Sequence, residues 1–262
     1  MRSASTAEKT VPLCVFSPEV SVRAAALAGS LGVPLVQTPE DCAAAELCLQ
    51  ERAEGLTLSD GRLALTVDFA ASAARLQRNN LGGELLVRAA KGRECAPHPT
   101  LLDATAGLGE DAFLLAAAGF SVTMYESDPM IAALLADGLC RAAGDEDLCE
   151  IVGRMRLIVG DSTFAMRQME TPPDVVYLDP MFPKRQKSGA VKKKFQLLQK
   201  RQPPCADEQE LLSAALALGA RKIVVKRPRN APPLCGQTPS YTLCGTSIRY
   251  DCIVRTGGNL CH

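Results

Sequence analysis

The rhythm of apolar and polar positions changes near residue 100. Before it, a short apolar run at 13–16, an alanine-rich helical stretch over 20–31 and a second short run at 33–36 follow one another. Two short strands at 56–58 and 63–69 flank Ser59-Asp60-Gly61, a turn signal that suits a hairpin. A helix over 83–91 comes next, and Pro97-His98-Pro99 punctuates the chain before the following unit. This pattern predicts a small N-terminal α+β domain over residues 1–95.

From Thr100 onward, apolar runs alternate with helical stretches. Strands are predicted at 101–105, 121–127, 155–161, 174–180 and 221–228, and helices over 110–118, over 129–143, after Ser162 and over 207–218. Strands that are apolar throughout, separated by helices, predict a parallel sheet covered on both faces. The runs at 240–245 and 249–256, joined by a short turn, predict a closing antiparallel hairpin. Residues 96–262 thus read as one Rossmann-like α/β domain.

Composition narrows the class. The chain has 262 residues, 47% apolar and 22% charged, with 29 basic and 29 acidic side chains, so nothing in its net charge draws it to a polyanion. Its eleven cysteines are odd in number and include no C-x-x-C pair, which fits reduced thiols in a cytoplasmic protein better than a disulfide scaffold. His98 and His262 are the only imidazoles, and neither has a partner at ligand spacing, so no metal is expected. The first residues contain no apolar leader core and no run is long enough to span a bilayer, which disfavours secretion and membrane insertion.

Candidate chemistry gathers at the ends of the predicted parallel strands. Asp103 opens a turn containing Gly107 and Gly109, where glycine lets the backbone approach a ligand. G-x-G-x-x-A alone also matches a dinucleotide fingerprint. Glu110 and Asp111 in the first helical turn would repel a pyrophosphate, whereas S-adenosyl-L-methionine, with its sulfonium and ammonium, would tolerate or welcome them. Glu126 ends the second strand, where an acid commonly accepts ribose hydroxyls. Asp161-Ser162 ends the third, a place for adenine contacts or simply for a helix cap.

The most specific signal is Asp179-Pro180-Met181-Phe182-Pro183, directly after the apolar run 175–178. It is similar to the (Asp/Asn)-Pro-Pro-(Tyr/Phe) motif of methyltransferases that modify a conjugated amino nitrogen, with Met181 in place of the second proline. Such a nitrogen is a poor nucleophile. It needs acceptors for its hydrogens, here the Asp179 carboxylate and the Pro180 carbonyl, and an aromatic face, Phe182, for the base. Behind the motif, residues 184–201 carry Lys184, Arg185, Lys187, Lys192, Lys193, Lys194, Lys200 and Arg201 without an acid. A second basic stretch contains Arg221, Lys222, Lys226, Arg227 and Arg229. Basic side chains beside the proposed reaction centre are the footprint of a polyanionic substrate, and Lys226 and Arg227 could meet phosphate or line the cofactor rim.

Four separated blocks, DATAGLGEDAF, YESDPMIAALLADGL, VVYLDPMFP with KSGAVKKK behind it, and KIVVKRP followed by APPL, carry a resemblance to the ribosomal RNA small subunit methyltransferase J family. The resemblance runs from about residue 65 to the C-terminus. It implies a class I S-adenosylmethionine-dependent methyltransferase fold and methylation of a guanine N2 amino group in bacterial small-subunit (16S) ribosomal RNA, free or in the 30S particle. It also implies cofactor positions at Glu110, Asp111, Glu126, Ser127, Asp161, Ser162 and Asp179. The chain departs from the family's usual arginine at Glu110 and at Ser127. Two other readings keep the fold with a different target: an amino methyltransferase of DNA adenine, or one of a protein glutamine amide. A nucleotide-linked oxidoreductase is disfavoured by Glu110, Asp111 and the lack of a placed proton donor, and a catalytically silent RNA-binding protein stands beside these.

Overall fold

The computed structural model describes residues 13–78, 81–92, 97–180, 207–256 and 259–260. They form two compact units, the first running to Thr66 and the second starting at Val67.

The first unit is a five-stranded sheet in the order β2-β1-β3-β4-β5. Its strands are β1 (Leu13–Phe16), β2 (Leu35–Val36), β3 (Leu47–Arg52), β4 (Gly55–Ser59) and β5 (Ala64–Thr66). β1 runs parallel to both neighbours, while β3, β4 and β5 form an antiparallel meander. Helix α1 (Val22–Leu31) starts at Ser21, whose hydroxyl accepts from Ala24 N at 2.9 Å, and stops at Gly32 in the left-handed region. The short helix α2 (Pro39–Ala44) is capped by Thr38, which accepts from Asp41 N at 3.2 Å. Leu13, Val15, Leu47, Leu49, Leu58 and Leu65 fill the core.

The strand expected over 63–69 ends at Thr66. The Asp68 carboxylate accepts from the backbone N–H of Ala70 and Ala71 at 2.9 and 3.3 Å, and that cap turns Phe69 into the start of helix α3 (Phe69–Arg78). Helices α3 and α4 (Leu85–Lys91) pack on α5 (Glu110–Ala117), and α3 also meets α6 (Pro129–Ala143). The contact boundary therefore falls at Thr66/Val67, ahead of the 95/96 boundary expected from the proline punctuation.

In the second unit the sheet order is β11-β12-β10-β9-β6-β7-β8, with β13 (Asn259–Leu260) paired to β12. The parallel strands are β6 (Thr100–Asp103), β7 (Ser121–Glu126), β8 (Met155–Val159), β9 (Val175–Leu178) and β10 (Lys222–Pro228). Strands β11 (Tyr241–Cys244) and β12 (Ile248–Thr256) add the expected antiparallel hairpin. Helices α8 (Ser162–Gln168) and α9 (Glu208–Leu218) pack together, and Leu211, Leu212, Ala214 and Ala215 join Leu102, Val176, Leu178, Ile223 and Val225 in one core cluster. Helices α3 to α6 and the short α7 (Cys149–Val152) form a second packed group.

One part of the second basic stretch is placed away from the reaction centre. Lys222 is 4% exposed, and its ammonium donates to the carbonyls of Ala89 and Ala90 at 3.0 and 3.3 Å. It thus satisfies the last turn of α4, where a cation complements the helix dipole. At about 3.3 Å per strand residue, Lys222 stands some ~13 Å from Lys226, at the amino end of β10 rather than the carboxyl end. Among the residues of this stretch, it is the later ones that reach the carboxyl edge.

Candidate active site

The strand order reverses between β6 and β9: the chain builds β6, β7 and β8 outward on one side, then returns to place β9 and β10 on the other. Crevices at the carboxyl ends of strands beside such a switch are where open parallel sheets bind ligands. Asp103 and Asp179 end the two strands that flank it. Glu126 ends β7 and pairs in register with Val159 on β8.

The glycine turn is held by its own neighbours. Gly107 (φ 55°) and Gly109 (φ 76°) both lie in the left-handed region. A Cβ on Gly109 would stand 2.7 Å from Leu135 Cδ1 and 3.4 Å from Phe69 Cζ, so the loop rests directly on α6 and on the first residue of α3. Phe69 in turn stacks on Phe113 of α5 with ring centroids 5.0 Å apart. Gly107 N–H donates to Glu126 Oε2 at 2.9 Å and Asp128 N–H donates to Oε1 at 2.8 Å. Burial pushes the Glu126 carboxyl up, against these two donors.

At the switch point a charged network forms. Asp111 Oδ2 accepts from the Tyr177 hydroxyl and from Lys226 Nζ, each at 2.6 Å. Lys226 Nζ also lies 2.9 Å from Asp179 Oδ2. Asp179 N–H donates to Thr105 Oγ1 at 2.7 Å, and Thr105 N–H donates to Asp103 Oδ1 at 3.0 Å. Burial opposes the charge on Lys226, yet the carboxylates of Asp111 and Asp179 prevail and hold its pKa above the usual lysine value. Tyr177 is 1% exposed, and burial next to Asp111 keeps its hydroxyl protonated. Asp103 is equally enclosed; burial, reinforced by Asp111 and Asp179, pushes its carboxyl up to about 8.

The remaining expected residues fall as follows. Gly107, Gly109, Asp103, Asp111, Glu126 and Asp179 come together at the carboxyl edge, with Pro180 buried behind Asp179. Glu110 and Ser127 are exposed. Asp161 caps α8, its Oδ1 accepting from Thr163 and Phe164 N–H at 2.7 and 3.3 Å, and Ser162 is buried beside it. Lys226 is bound to carboxylates. Arg227 is 5% exposed and donates to the Pro232 carbonyl at 3.1 Å, which ties down the segment after β10. Phe182, Lys184, Arg185, Lys187, Lys192, Lys193 and Lys194 lie outside the described residues.

Sequence reading missed four participants. Tyr177 reads as one more apolar strand residue, and its bond to Asp111 appears only when β9 and α5 meet. Thr105 reads as filler in the turn. Val159 and Phe164 are 59% and 66% exposed beside Glu126 and Asp161, an apolar face at the end of β8 that no motif marks.

These residues suit a sulfonium cofactor. Two carboxylates, Asp111 and Asp179, face one cation, Lys226, so the site tolerates positive charge and repels a pyrophosphate. Residues 35–255 match the family model described as "Putative SAM-dependent methyltransferase". The chain belongs to this methyltransferase family. It is 44% identical over 234 residues to ribosomal RNA small subunit methyltransferase J of Pseudomonas syringae pv. tomato, covering 87% of this chain and 85% of the relative. Similarity to the protein of the same name in Stutzerimonas stutzeri is 45% over 219 residues, covering 81% and 85%. The crystal structure of a SAM-dependent methyltransferase from Neisseria gonorrhoeae superposes with a TM-score of 0.73 at 30% identity, over 94% of this chain and 97% of that one. The family member described here is therefore an S-adenosylmethionine-dependent methyltransferase on a Rossmann-like sheet. Among the described residues, no helix is long and apolar enough to cross a membrane.

Proposed function

We propose that this enzyme methylates the N2 amino group of a guanine in small-subunit (16S) ribosomal RNA, in the cytoplasm, on free RNA or on the 30S particle. The observation that carries the reading is Asp179-Pro180 at the carboxyl end of β9, beside the switch point and within reach of the acidic, cation-tolerant crevice. The names of its relatives supply the substrate class. Bound S-adenosylmethionine supplies an electrophilic methyl on its sulfonium.

The protein's part is to position the acceptor. The Asp179 carboxylate and the Pro180 carbonyl accept the two hydrogens of the exocyclic amino group, turning its lone pair toward the methyl. Bound S-adenosylmethionine would give up its methyl and leave as the neutral thioether, and the surplus proton of the nitrogen would pass to the acceptor side, at Asp179. Lys226 and the Thr105 hydroxyl keep Asp179 in place from opposite ends of the residue. Glu126 takes the ribose, while Val159 and Phe164 offer an apolar face for the purine. Phe182 and the basic run from Lys184 to Lys194 take the roles their sequence suggests, stacking the target base and holding phosphates.

The test is transfer of labelled methyl from S-adenosylmethionine to ribosomal RNA and 30S particles from a strain lacking the enzyme, with the product nucleoside identified by mass spectrometry. N2-methylguanosine is expected. A protein that binds the cofactor but labels neither substrate sinks the reading and moves the search to DNA adenine and protein amides.

A further inference from the structure

The first unit carries a cluster that the methyl-transfer site does not use. Cys14 on β1 and Cys48 on β3 are direct partners in the parallel register, so their side chains leave the same face of the sheet side by side. Helix α2 packs on β1 and brings Cys42 over that pair. The three sulfurs lie within 4.8 Å of one another, and Cys42 Sγ stands 2.7 Å from Cys48 Sγ. Cys14 and Cys48 are 2% and 4% exposed, and Cys42 is half-buried. The five other described cysteines, Cys140, Cys149, Cys235, Cys244 and Cys252, belong to no such group. Spacing along the chain hides the cluster, because it contains no C-x-x-C and needs a strand pair and a helix to assemble.

We propose that Cys14, Cys42 and Cys48 form a binding site for one soft, thiophilic d10 cation, zinc(II) or copper(I). Three convergent sulfurs without an imidazole or carboxylate in the group select soft ions over magnesium or calcium. With metal–sulfur bonds of about 2.3 Å, three sulfurs around one ion sit roughly 3.8–4.0 Å apart, inside the observed limit for the group. The Cys42–Cys48 pair must open by about 1 Å on the same bond length, and Cys42 is the ligand on the half-exposed helix. Helix α2 has no fully buried side chain, so an ion would give it the anchor that packing does not. Burial pushes the Cys14 and Cys48 thiols up, which makes bare thiolates costly there and couples ionisation to the arrival of a cation. On binding, each ligating thiol exchanges its proton for the metal and releases it to solvent.

The full chain, reduced with a phosphine and desalted without oxygen, is titrated with zinc(II), and separately with copper(I), against a chromophoric competitor. One tight equivalent per chain is expected in at least one arm, and the tighter arm names the ion. Cys42→Ser and Cys48→Ser are expected to weaken that equivalent at least tenfold, while Cys140→Ser and Cys235→Ser leave it unchanged. Because Cys48→Ser could fail to fold, a variant-free readout runs beside it. One equivalent of the metal should slow alkylation of Cys42 at least tenfold, mapped by peptide mass, with Cys140 and Cys235 unaffected. Equal stoichiometry and affinity in all variants overturns the proposal. So does a reduced chain that takes up neither ion, or one whose metal leaves Cys42 labelling unchanged.

Discussion

Two ion networks sit at the same end of β10 and β12, and they are built to different rules. At the hairpin, Arg249 forms a two-pronged pair with Asp251 at 2.8 and 2.9 Å, and its remaining nitrogen donates to the carbonyls of Pro228, Arg229 and Ala231. Thr242 Oγ1 donates to the same carboxylate at 2.9 Å. Backbone and side chain thus saturate this pair. At the switch point, Lys226 is shared between Asp111 and Asp179, whose side chains are 27% and 35% exposed, and acidic groups outnumber it. The first network closes on itself and holds the hairpin to the sheet. The second shares one ammonium between two partly exposed carboxylates at the crevice, a surplus of negative charge that suits a cationic cofactor. Exposure and charge balance distinguish the two: one cation to one carboxylate in the enclosed pair, one cation to two partly exposed carboxylates at the crevice.

That contrast can be broken by substitution. Asp179→Ala is expected to lower methyl transfer by about 10²–10⁴-fold with little change in the unfolding midpoint, the scale of losing a positioned acceptor; single-turnover rates and denaturation of the same preparation check both halves. Arg249→Ala should do the reverse. It leaves Asp251 buried and unpaired and is expected to cost about 3–5 kcal/mol of stability, read by urea unfolding, with the cofactor dissociation constant of the remaining folded protein within about twofold. If Arg249→Ala instead weakens the cofactor as much as it weakens the fold, the two networks are one.

Smaller effects sharpen the comparison. Lys226→Met should lower stability at pH 7 by about 1.5–3 kcal/mol, the range for a hydrogen bond to a charged group. Its folded pKa lies above the unfolded value of 10.5, so the contribution is complete below pH 10.5 and fades as pH climbs past it. The gap between wild type and variant in urea unfolding should therefore be the same at pH 6 and pH 8. Glu126→Gln turns one acceptor into a donor facing a backbone N–H and is expected to weaken S-adenosylmethionine binding about tenfold by calorimetry.

Asp103 gives the finest test. Its pKa rises from the ordinary 3.8 to about 8 on folding, so the fold favours its protonated form, and wild-type stability contains a part that declines as pH rises between those values. Asp103→Asn keeps the oxygen that accepts from Thr105 N–H and removes the titration. Unfolding midpoints at pH 5 and pH 8 should fall less in the variant than in the wild type. Parallel curves would mean that the carboxyl is ionised in the fold.

What could be read from the chain follows from how local each signal is. The parallel strands of the second unit, the principal helices between them and the closing hairpin were legible because strands buried on both faces are apolar throughout and glycine marks the turns between them. Helix α6 begins at Pro129 after the Asp128 cap, a boundary written in two adjacent residues. Asp103, Glu126 and Asp179 were legible because each terminates an apolar run. Helix α3 was not, because its start depends on the Asp68 cap inside what resembles a continuing strand. Strand β3 was missed because its second half, Gln50-Glu51-Arg52, is polar and partly exposed, although the strand is central in its sheet. Lys226 and Lys222 share one basic stretch, and only the strand's length reveals that one serves the crevice and the other a helix end. The Tyr177 bond and the thiol cluster join elements remote in sequence, where no local pattern exists to find.

The ring of Phe69 under Gly109 bears on how far the chain can be cut back. A fragment trimmed to the motif-bearing residues from 96 onward would keep every carboxylate of the crevice yet lose the floor on which its glycine turn stands, together with the partner ring of Phe113. It would also strand the Lys222 ammonium in the interior without the helix end that receives it. The shortest piece able to hold its own cofactor pocket in shape thus has to begin no later than Val67, and the thirty or so residues before the first motif are foundation, not tether.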